Sequence, residues 1–242
     1  MCIRDRVTSE IYNKRELKIL STHSKLVLLT NLALIVIGGL GFFALESIRG
    51  GILEGEGLGN GMLISFFQSV SARTAGFYSI DIGQSRRSTS LLLMSLMFVG
   101  GSPGSTAGGI KTTSFIVLIL AVISVIKNEK EPVVFNRSIS NDTIKKALSI
   151  FMISLFLVIL VSFTISTWER FNFIDILFET VSALGTVGTT RGITDQLTRA
   201  SKVIIGLCMY LGRIGPMTMA LSFGLKSDDK LIKYPEGFIS IG

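Results

Sequence analysis

Four long apolar segments restrict what this chain can fold into. A helix needs roughly 20 mostly apolar residues to cross a bilayer whose hydrocarbon core is about 30 Å thick. Residues 26–45 and 147–168 meet this length without a charge, residues 203–225 contain only Arg213, and residues 91–126 are apolar on both sides of a glycine-rich interruption. With 17% charged residues, the 242-residue chain is also too charge-poor for an ordinary soluble enzyme. We therefore predict an all-α membrane protein that is not an enzyme.

The positive charges predict how these spans are oriented. Four spans place both termini on one side, together with the connection 127–146. Residues 1–25, 127–146 and 226–242 contain 14 Lys or Arg, whereas the opposite connections, residues 46–90 and 169–202, contain 8 and as many acids. Because short cytoplasmic loops carry an excess of Lys and Arg, we expect both termini in the cytoplasm. The basic segments are then expected to contact anionic lipid rather than nucleic acid.

Each outer connection contains a second, shorter apolar stretch. Residues 62–72 and 173–184 are too short to cross a membrane, and each is followed within four residues by Thr and Gly. This pattern predicts re-entrant half-helices, each followed by an extended loop. Irregular backbone at membrane depth is tolerated only where it lines a cavity or is buried in protein. Since backbone carbonyls can replace the hydration shell of a cation, the loops indicate a permeation path.

The two halves of the chain repeat one another. An offset of 112 residues pairs Thr74-Ala75-Gly76 with Thr186-Val187-Gly188 and also pairs Gly100 with Gly212. The shared Val-Ser-Ala sequence, which precedes each Thr, recurs at an offset of 111, so one residue is inserted between the two anchors. The predicted organisation is therefore a segment 1–25, a unit 26–126, a connection 127–146, a unit 147–225 and a tail 226–242, each unit being span, half-helix, loop and span.

Five stretches of the sequence resemble the potassium-translocating subunits KtrB and TrkH of the bacterial Trk/Ktr/HKT superfamily, KtrB more than TrkH. They are SVSARTAGFYSIDI (69–82), FVGGSPGSTAGGIKTTSF (98–115), ETVSALGTVGTTRGIT (179–194), LGRIGPMTMALSFG (211–224) and YPEGFISIG (234–242). The resemblance implies four membrane–pore–membrane units around one pseudo-fourfold pore. This chain resembles only the third and fourth units, so it looks like the C-terminal half of a longer protein. Residues 1–6 do not resemble the family and are a candidate artefact of a truncated gene model.

The resemblance also assigns an ion filter. Its residues would be Thr74, Ala75 and Gly76 in the first unit and Thr186, Val187 and Gly188 in the second, with potassium held by their backbone carbonyls and no cofactor required. A glycine-containing turn between two apolar helices is the alternative for each segment taken alone. Because the Thr-X-Gly segment occurs twice, each time after a predicted half-helix, the filter is the favoured interpretation.

The glycine-rich interruption is predicted to be a gate. In the resembled family this position is an intramembrane loop on the cytoplasmic side of the filter, and composition alone excludes a regular helix here. A helix kink is the simpler alternative, and a phosphate-binding loop is excluded because its spacing is absent. The predicted gate comprises Gly100, Gly101, Ser102, Pro103, Gly104, Ser105, Thr106, Ala107, Gly108 and Gly109, with Lys111 and Arg213 as cations beside it. The alternative for Lys111 is that it only marks the membrane boundary. The alternative for Arg213 is a snorkelling arginine or a buried, paired one.

The functional hypothesis is potassium uptake across the bacterial plasma membrane, passive or sodium-linked. The resemblance implies a homodimer and a cytoplasmic nucleotide-binding regulatory ring of the KtrA or TrkA type. One alternative is a transporter of another solute, although the spans supply almost no polar binding pocket. A second is a non-conducting fragment or scaffold that needs the missing half. Four outer acids, Asp81, Asp175, Glu179 and Asp195, could attract cations, but solvated loop positions are the expectation.

Overall fold

The computed structural model describes residues 21–105, 107–129 and 131–215. These residues are mostly helical, which confirms the predicted all-α class, with one short hairpin that the sequence did not predict. The elements are α1 (Thr22–Glu46), α2 (Leu58–Ser71), a 3₁₀ turn (Ile82–Gln84), α3 (Arg87–Phe98), α4 (Thr112–Ile126), β1 (Val133–Val134), β2 (Arg137–Ser138), α5 (Asn141–Trp168), α6 (Phe173–Gly185), a second 3₁₀ turn (Thr194–Gln196) and α7 (Arg199–Ile214). Strands β1 and β2 are antiparallel.

Two of these helices are long and apolar enough to cross a membrane, namely α1 and α5. Helix α4 is as apolar but has only 15 residues. Helices α3 and α4 lie on either side of the glycine-rich segment, so the predicted second span is broken there. Helix α7 ends at Ile214 and is followed by Gly215 at φ +94°. The predicted continuation of that span, the N-terminal segment before residue 21 and the C-terminal tail lie outside the described residues.

Side chains satisfy the backbone at several helix ends. The hydroxyl of Ser21 accepts a hydrogen bond from the Ser24 N–H at 3.2 Å, and the hydroxyl of Thr198 accepts one from the Ser201 N–H at 3.3 Å. At the end of α1, the fully buried carboxylate of Glu46 accepts the N–H groups of Ile52 at 2.9 Å and Arg86 at 3.0 Å. This carboxylate therefore fixes the loop after α1 and the start of α3 to the same helix end.

The helices pack as two interlocked sets. Helix α1 contacts α2, α3 and α4, while α6 contacts α3, α5 and α7, and α4 also lies against α5. The largest fully buried apolar side chains, Phe42, Leu93, Met97, Phe178 and Leu184, come from both sets and form one core. Contacts of α3 with α6 and of α4 with α5 thus join the two halves of the chain.

The outward faces of the long helices are apolar. Large side chains such as Leu29 and Leu32 on α1 and Phe156 and Phe163 on α5 are more than half exposed. A continuous apolar surface of this kind would be unfavourable in water and matches a lipid environment.

Small residues allow α1 and α2 to approach closely. A Cβ atom at Gly38 would lie 2.4 Å from the hydroxyl of Ser69, and that hydroxyl donates a hydrogen bond to the Ile35 carbonyl at 2.9 Å. Close backbone approach through glycine and serine is typical of helix pairs in membranes, where no water drives apolar side chains together. The packing therefore fixes α2, and the loop that follows it, to the first long helix.

Candidate functional site

The two Thr-X-Gly segments have the same unusual backbone. Thr74 and Gly76 have φ of +70° and +78°, and Thr186 and Gly188 have φ of +53° and +93°. The residues between them, Ala75 and Val187, are not in the positive region. Each segment leaves the C-terminus of a short helix, α2 or α6, so the structure repeats at the offset of 112 residues that pairs the sequences. Equivalent positions therefore have equivalent conformations, which a sequence repeat alone does not guarantee.

A serine from each helix holds the segment that follows. The hydroxyl of Ser71 donates to the Phe77 carbonyl, and the hydroxyl of Ser182 donates to the Thr189 carbonyl at 2.7 Å. These serines are the equivalent residues of the two Val-Ser-Ala sequences, and their acceptors directly follow Gly76 and Gly188. Both pairs are partly or fully buried, so the hydrogen bonds fix the far end of each Thr-X-Gly segment.

The two segments lie side by side. A Cβ atom at Gly76 would come within 2.2 Å of the Val187 carbonyl oxygen. Only a residue without a side chain fits this approach, so the glycine is required here by both its φ angle and its neighbour. The structure therefore brings the six predicted filter residues into one region.

The glycine-rich segment, residues 99–111, is a compact loop closed at its base. The Ile110 N–H donates to the Phe98 carbonyl, and the Thr112 N–H donates to the Gly101 carbonyl, both at 3.2 Å. Inside the loop the backbone crosses itself so closely that a Cβ atom at Gly100 would lie 2.0 Å from the Gly108 carbonyl oxygen. The expectation that no regular helix survives here is confirmed, since α3 and α4 are separated by this loop.

One limb of the loop contacts the second Thr-X-Gly segment. The Gly108 N–H donates to the Thr186 hydroxyl at 2.9 Å, and a Cβ atom at Gly108 would lie 2.6 Å from the Thr186 side chain. Of the predicted gate residues, Thr106 lies outside the described part of the chain. The others are described, and they form a loop that adjoins the predicted filter.

One of the two predicted cations binds the same limb. The Lys111 ammonium donates to the Ala107 carbonyl at 2.5 Å. Arg213 is in the last turn of α7. The structure thus places Lys111 at the loop, and Arg213 at the end of a helix that packs against α6.

The expectation of solvated outer acids is wrong for two of the four. Glu179 is only 6% exposed, and its carboxylate accepts hydrogen bonds from the hydroxyls of Thr190 and of Thr194, the latter at 3.0 Å. Asp175 pairs with Arg191. Both acids lie on α6, where packing against the loop after Gly188 covers them. Asp81 and Asp195 are exposed, as expected.

A further acid links the end of α5 to the start of α7. Glu169, directly after α5, accepts hydrogen bonds from the Ser201 hydroxyl at 2.7 Å and from the N–H and hydroxyl of Thr198 at 2.9 and 2.8 Å. The Ser201 bond first, and then those from Thr198, hold the pKa of the Glu169 carboxyl below its ordinary value. The end of α5 is thereby attached to the start of α7.

Two arginines beside the Thr-X-Gly segments were not predicted as site residues. Arg73, directly before Thr74, contacts the glycine-rich loop, and Arg191, three residues after Gly188, contacts the first half of the chain. Their signal in the sequence was a single cation next to each proposed filter, in a stretch that is otherwise uncharged. Their partners were not predictable, because these lie between 16 and 109 residues away and most belong to other elements.

Comparison with known proteins identifies the family of this chain. Residues 17–234 match the family described as TrkH, a cation transport protein. The chain is 42% identical over 236 residues to Ktr system potassium uptake protein B from Bacillus subtilis (strain 168), covering 98% of this chain and 53% of the relative. It is 36% identical over 242 residues to the potassium/sodium uptake protein NtpJ from Enterococcus hirae, covering 98% and 53%.

A solved structure shows the same fold. The potassium transporter TrkH from Vibrio parahaemolyticus matches with a TM-score of 0.63 and 15% identity, over 84% of this chain and 44% of that chain. The chain spans about half the length of the curated relatives it matches. From the family match and the identities, the chain belongs to the TrkH family of cation transport proteins, which are integral membrane proteins and not enzymes.

Proposed function

We propose that this chain supplies half of the pore of a potassium-translocating protein that takes up potassium across the bacterial plasma membrane. The backbone carbonyls of six residues form two of the four sides of its filter, namely Thr74, Ala75, Gly76, Thr186, Val187 and Gly188. Helices α2 and α6 are re-entrant and point their C-terminal ends, where the helix dipole is negative, toward the cation.

The repeated left-handed backbone of the two Thr-X-Gly segments is the observation that carries this proposal. A potassium ion sheds its hydration shell only if several carbonyl oxygens replace it at once, so equivalent segments must present equivalent carbonyls. Two segments with matched φ angles, each held by a serine, meet that requirement for half of a ring. An incidental turn between two helices would not need the same conformation twice.

Residues 100–109 act as the gate of this pore, with Lys111 and Arg213 beside it. The hydrogen bonds from Gly108 to Thr186 and from Lys111 to Ala107 support this role. Because the loop has no regular secondary structure and many small residues, it can move aside at a lower free-energy cost than a continuous helix.

The remaining partners follow from the relatives and from the charge distribution. Two further filter segments come from an N-terminal half, since the named relatives are about twice as long as this chain. The word "system" in the name of the Bacillus subtilis relative supports a second component, for which we propose a cytoplasmic nucleotide-binding ring of the KtrA or TrkA type. We further propose a homodimer of the complete protein with both termini in the cytoplasm, in contact with membrane lipid. The name of the Enterococcus relative supports a sodium-linked mode.

A non-conducting fragment is the second candidate, favoured by the half-length coverage of the relatives. Expression in a bacterium without potassium uptake systems separates the two. The chain would be tested alone and joined to the N-terminal part of the Bacillus subtilis relative, with insertion of both into the membrane verified by immunoblot.

We expect the joined protein to restore growth at low potassium and the chain alone to fail. If the joined protein reaches the membrane but takes up no radioactive rubidium, the proposed potassium function is wrong. If the chain alone restores growth, copies of this chain complete the pore without an N-terminal half.

A further inference from the structure

Arg73 belongs to neither the proposed filter nor the proposed gate, yet its side chain reaches both regions. We propose that Arg73 is a positioning residue that, together with Asn31 of α1, clamps the first limb of the glycine-rich loop, residues 100–102, against the first Thr-X-Gly segment. The role of that loop as a gate rests on the proposed function, whereas the clamp itself rests on the contacts that follow.

The Arg73 guanidinium binds acceptors on two separate elements. Its Nη2 donates to the Gly100 carbonyl at 3.2 Å and also to the Asn31 side-chain oxygen, and its Nη1 donates to the Asn31 carbonyl at 3.4 Å. A planar guanidinium can hold several acceptors in a fixed geometry, which a lysine ammonium cannot reproduce. Arg73 therefore joins the end of α2, helix α1 and the first limb of the loop.

Asn31 extends the contact to the next part of the loop. Its amide nitrogen donates to the Ser102 hydroxyl at 3.1 Å and to the Val27 carbonyl at 2.8 Å, while its side-chain oxygen accepts from Arg73. Both ends of the amide are thus used, one toward the arginine and one toward the loop. Removing the Arg73 side chain takes this donor from the Asn31 side-chain oxygen, and removing the Asn31 side chain leaves Arg73 with backbone acceptors alone. The two side chains therefore act together.

The clamp lies in a cleft of about 300 Å³ between the filter segment and the loop. The cleft is lined by polar groups from both sides, including Asn31, Arg73, Thr74, Ser102 and Ser105. The second limb of the loop has its own attachment, from Gly108 to Thr186. Each limb is therefore tied to a different filter segment, the first through a charged side chain and the second through the backbone.

This arrangement predicts that loss of Arg73 frees the first limb without altering the filter. Val99, directly before the first limb, is only 4% exposed and serves as a reporter of opening when it is replaced in Val99→Cys. The protein to use is the chain joined to the N-terminal part of its relative, in a background without other cysteines. The rate at which a charged thiol reagent modifies the reporter measures how often the loop opens.

We expect Arg73→Gln to raise the modification rate about tenfold, which corresponds to the free energy of one charge-assisted hydrogen bond. Arg73→Lys should give an intermediate rate. Arg137→Gln, which removes an exposed arginine from the β1–β2 hairpin, is the matched control and should leave the rate unchanged. Where Arg73→Gln does not fold, Ser102→Ala tests the same clamp, because it removes the contact of Asn31 with the loop. It should raise the rate by a smaller factor.

Measurement of ion flux distinguishes a residue that holds the loop from one that supports the filter. In liposomes we expect Arg73→Gln to raise passive rubidium flux while the preference for rubidium over sodium stays at the parental value. An unchanged modification rate in folded Arg73→Gln, or a lost ion preference at an unchanged modification rate, would overturn the clamp. Thiol modification needs no ion flux, so the clamp can hold even where the potassium function fails.

Discussion

Thr74 and Thr186 have backbone angles that β-branched residues rarely adopt, since a positive φ brings their side chains close to the backbone. Such conformations persist only where the surrounding structure holds them, and they concentrate at functional sites. Here the serine hydroxyls of Ser71 and Ser182 hold each segment, and the Thr186 hydroxyl also accepts from the loop. The strain is therefore localised in the residues for which we propose contact with the ion.

Gly76 provides a test of the filter at the scale of one residue. Gly76→Ala would force a side chain into a left-handed residue and against the Val187 carbonyl, whereas Gly55→Ala, at φ +90° with open space around it, meets only the first penalty. Overpacking typically costs about 1 to 3 kcal/mol, and this cost would displace the Val187 carbonyl from its position in the proposed filter. We therefore expect Gly76→Ala in the joined protein to reduce the preference for rubidium over sodium roughly tenfold. Uptake assays with both ions measure this. Equal behaviour of the two variants would mean that the approach of the two segments has no part in selectivity.

At the scale of elements, two glycines at equivalent positions allow close backbone approach. A Cβ atom at Gly100 would lie 2.0 Å from the Gly108 carbonyl oxygen, and one at Gly212 would lie 2.0 Å from the Leu184 carbonyl oxygen. Glycine is thus present at the equivalent position of both units, although its neighbours differ. Gly100 contacts its own loop, whereas Gly212, on α7, contacts the end of α6. Helix α7 supports the second filter segment through this contact.

We therefore expect Gly212→Ala to lower stability and Gly206→Ala, on the same helix, to leave it unchanged or slightly higher. Apart from the backbone of its own helix, no atom of the described residues lies within 4 Å of a Cβ at Gly206, so alanine there improves helix propensity, by up to about 1 kcal/mol. At Gly212 a backbone carbonyl blocks the new methyl group and cannot rotate away, which should cost about 3 kcal/mol. Thermal unfolding in detergent, followed by fluorescence, compares the two. Equal midpoints would show that α7 can shift without cost.

At the scale of the whole molecule, sequence patterns predicted what is local or repeated. The length of the apolar segments predicts helices α1 and α5, and the offset of 112 residues in the sequence pairs the two Thr-X-Gly segments. The β1–β2 hairpin has no such signal, because two residues per strand carry no periodicity. The burial of Glu179 was not predictable either, because it depends on Thr190 and Thr194, whose positions follow from the fold of the second loop.

Arg191 shows the same limit most clearly, since it joins the two halves of the chain. Its Nε pairs with Asp175 at 2.7 Å, and its other nitrogens donate to the Ile82 carbonyl at 3.3 Å, the Gly83 carbonyl at 3.1 Å and the hydroxyls of Ser85 and Ser90. The arginine side chain is 9% exposed. A single cation from the second unit therefore satisfies polar groups of the first unit beside both proposed filter segments.

Replacing this cation should loosen the two units from one another. Arg191→Gln leaves Asp175 and several carbonyls without a partner, and we expect a loss of about 2 to 4 kcal/mol in the free energy of unfolding, as for other nearly buried pairs that lose one member. Asp175→Asn keeps a side-chain oxygen as acceptor and should cost less. Arg170→Gln, at an exposed arginine, is the matched control. Thermal unfolding of the joined protein in detergent measures all three. An unfolding midpoint for Arg191→Gln equal to that of the control would mean that the core shared by α3 and α6 holds the units together without this arginine.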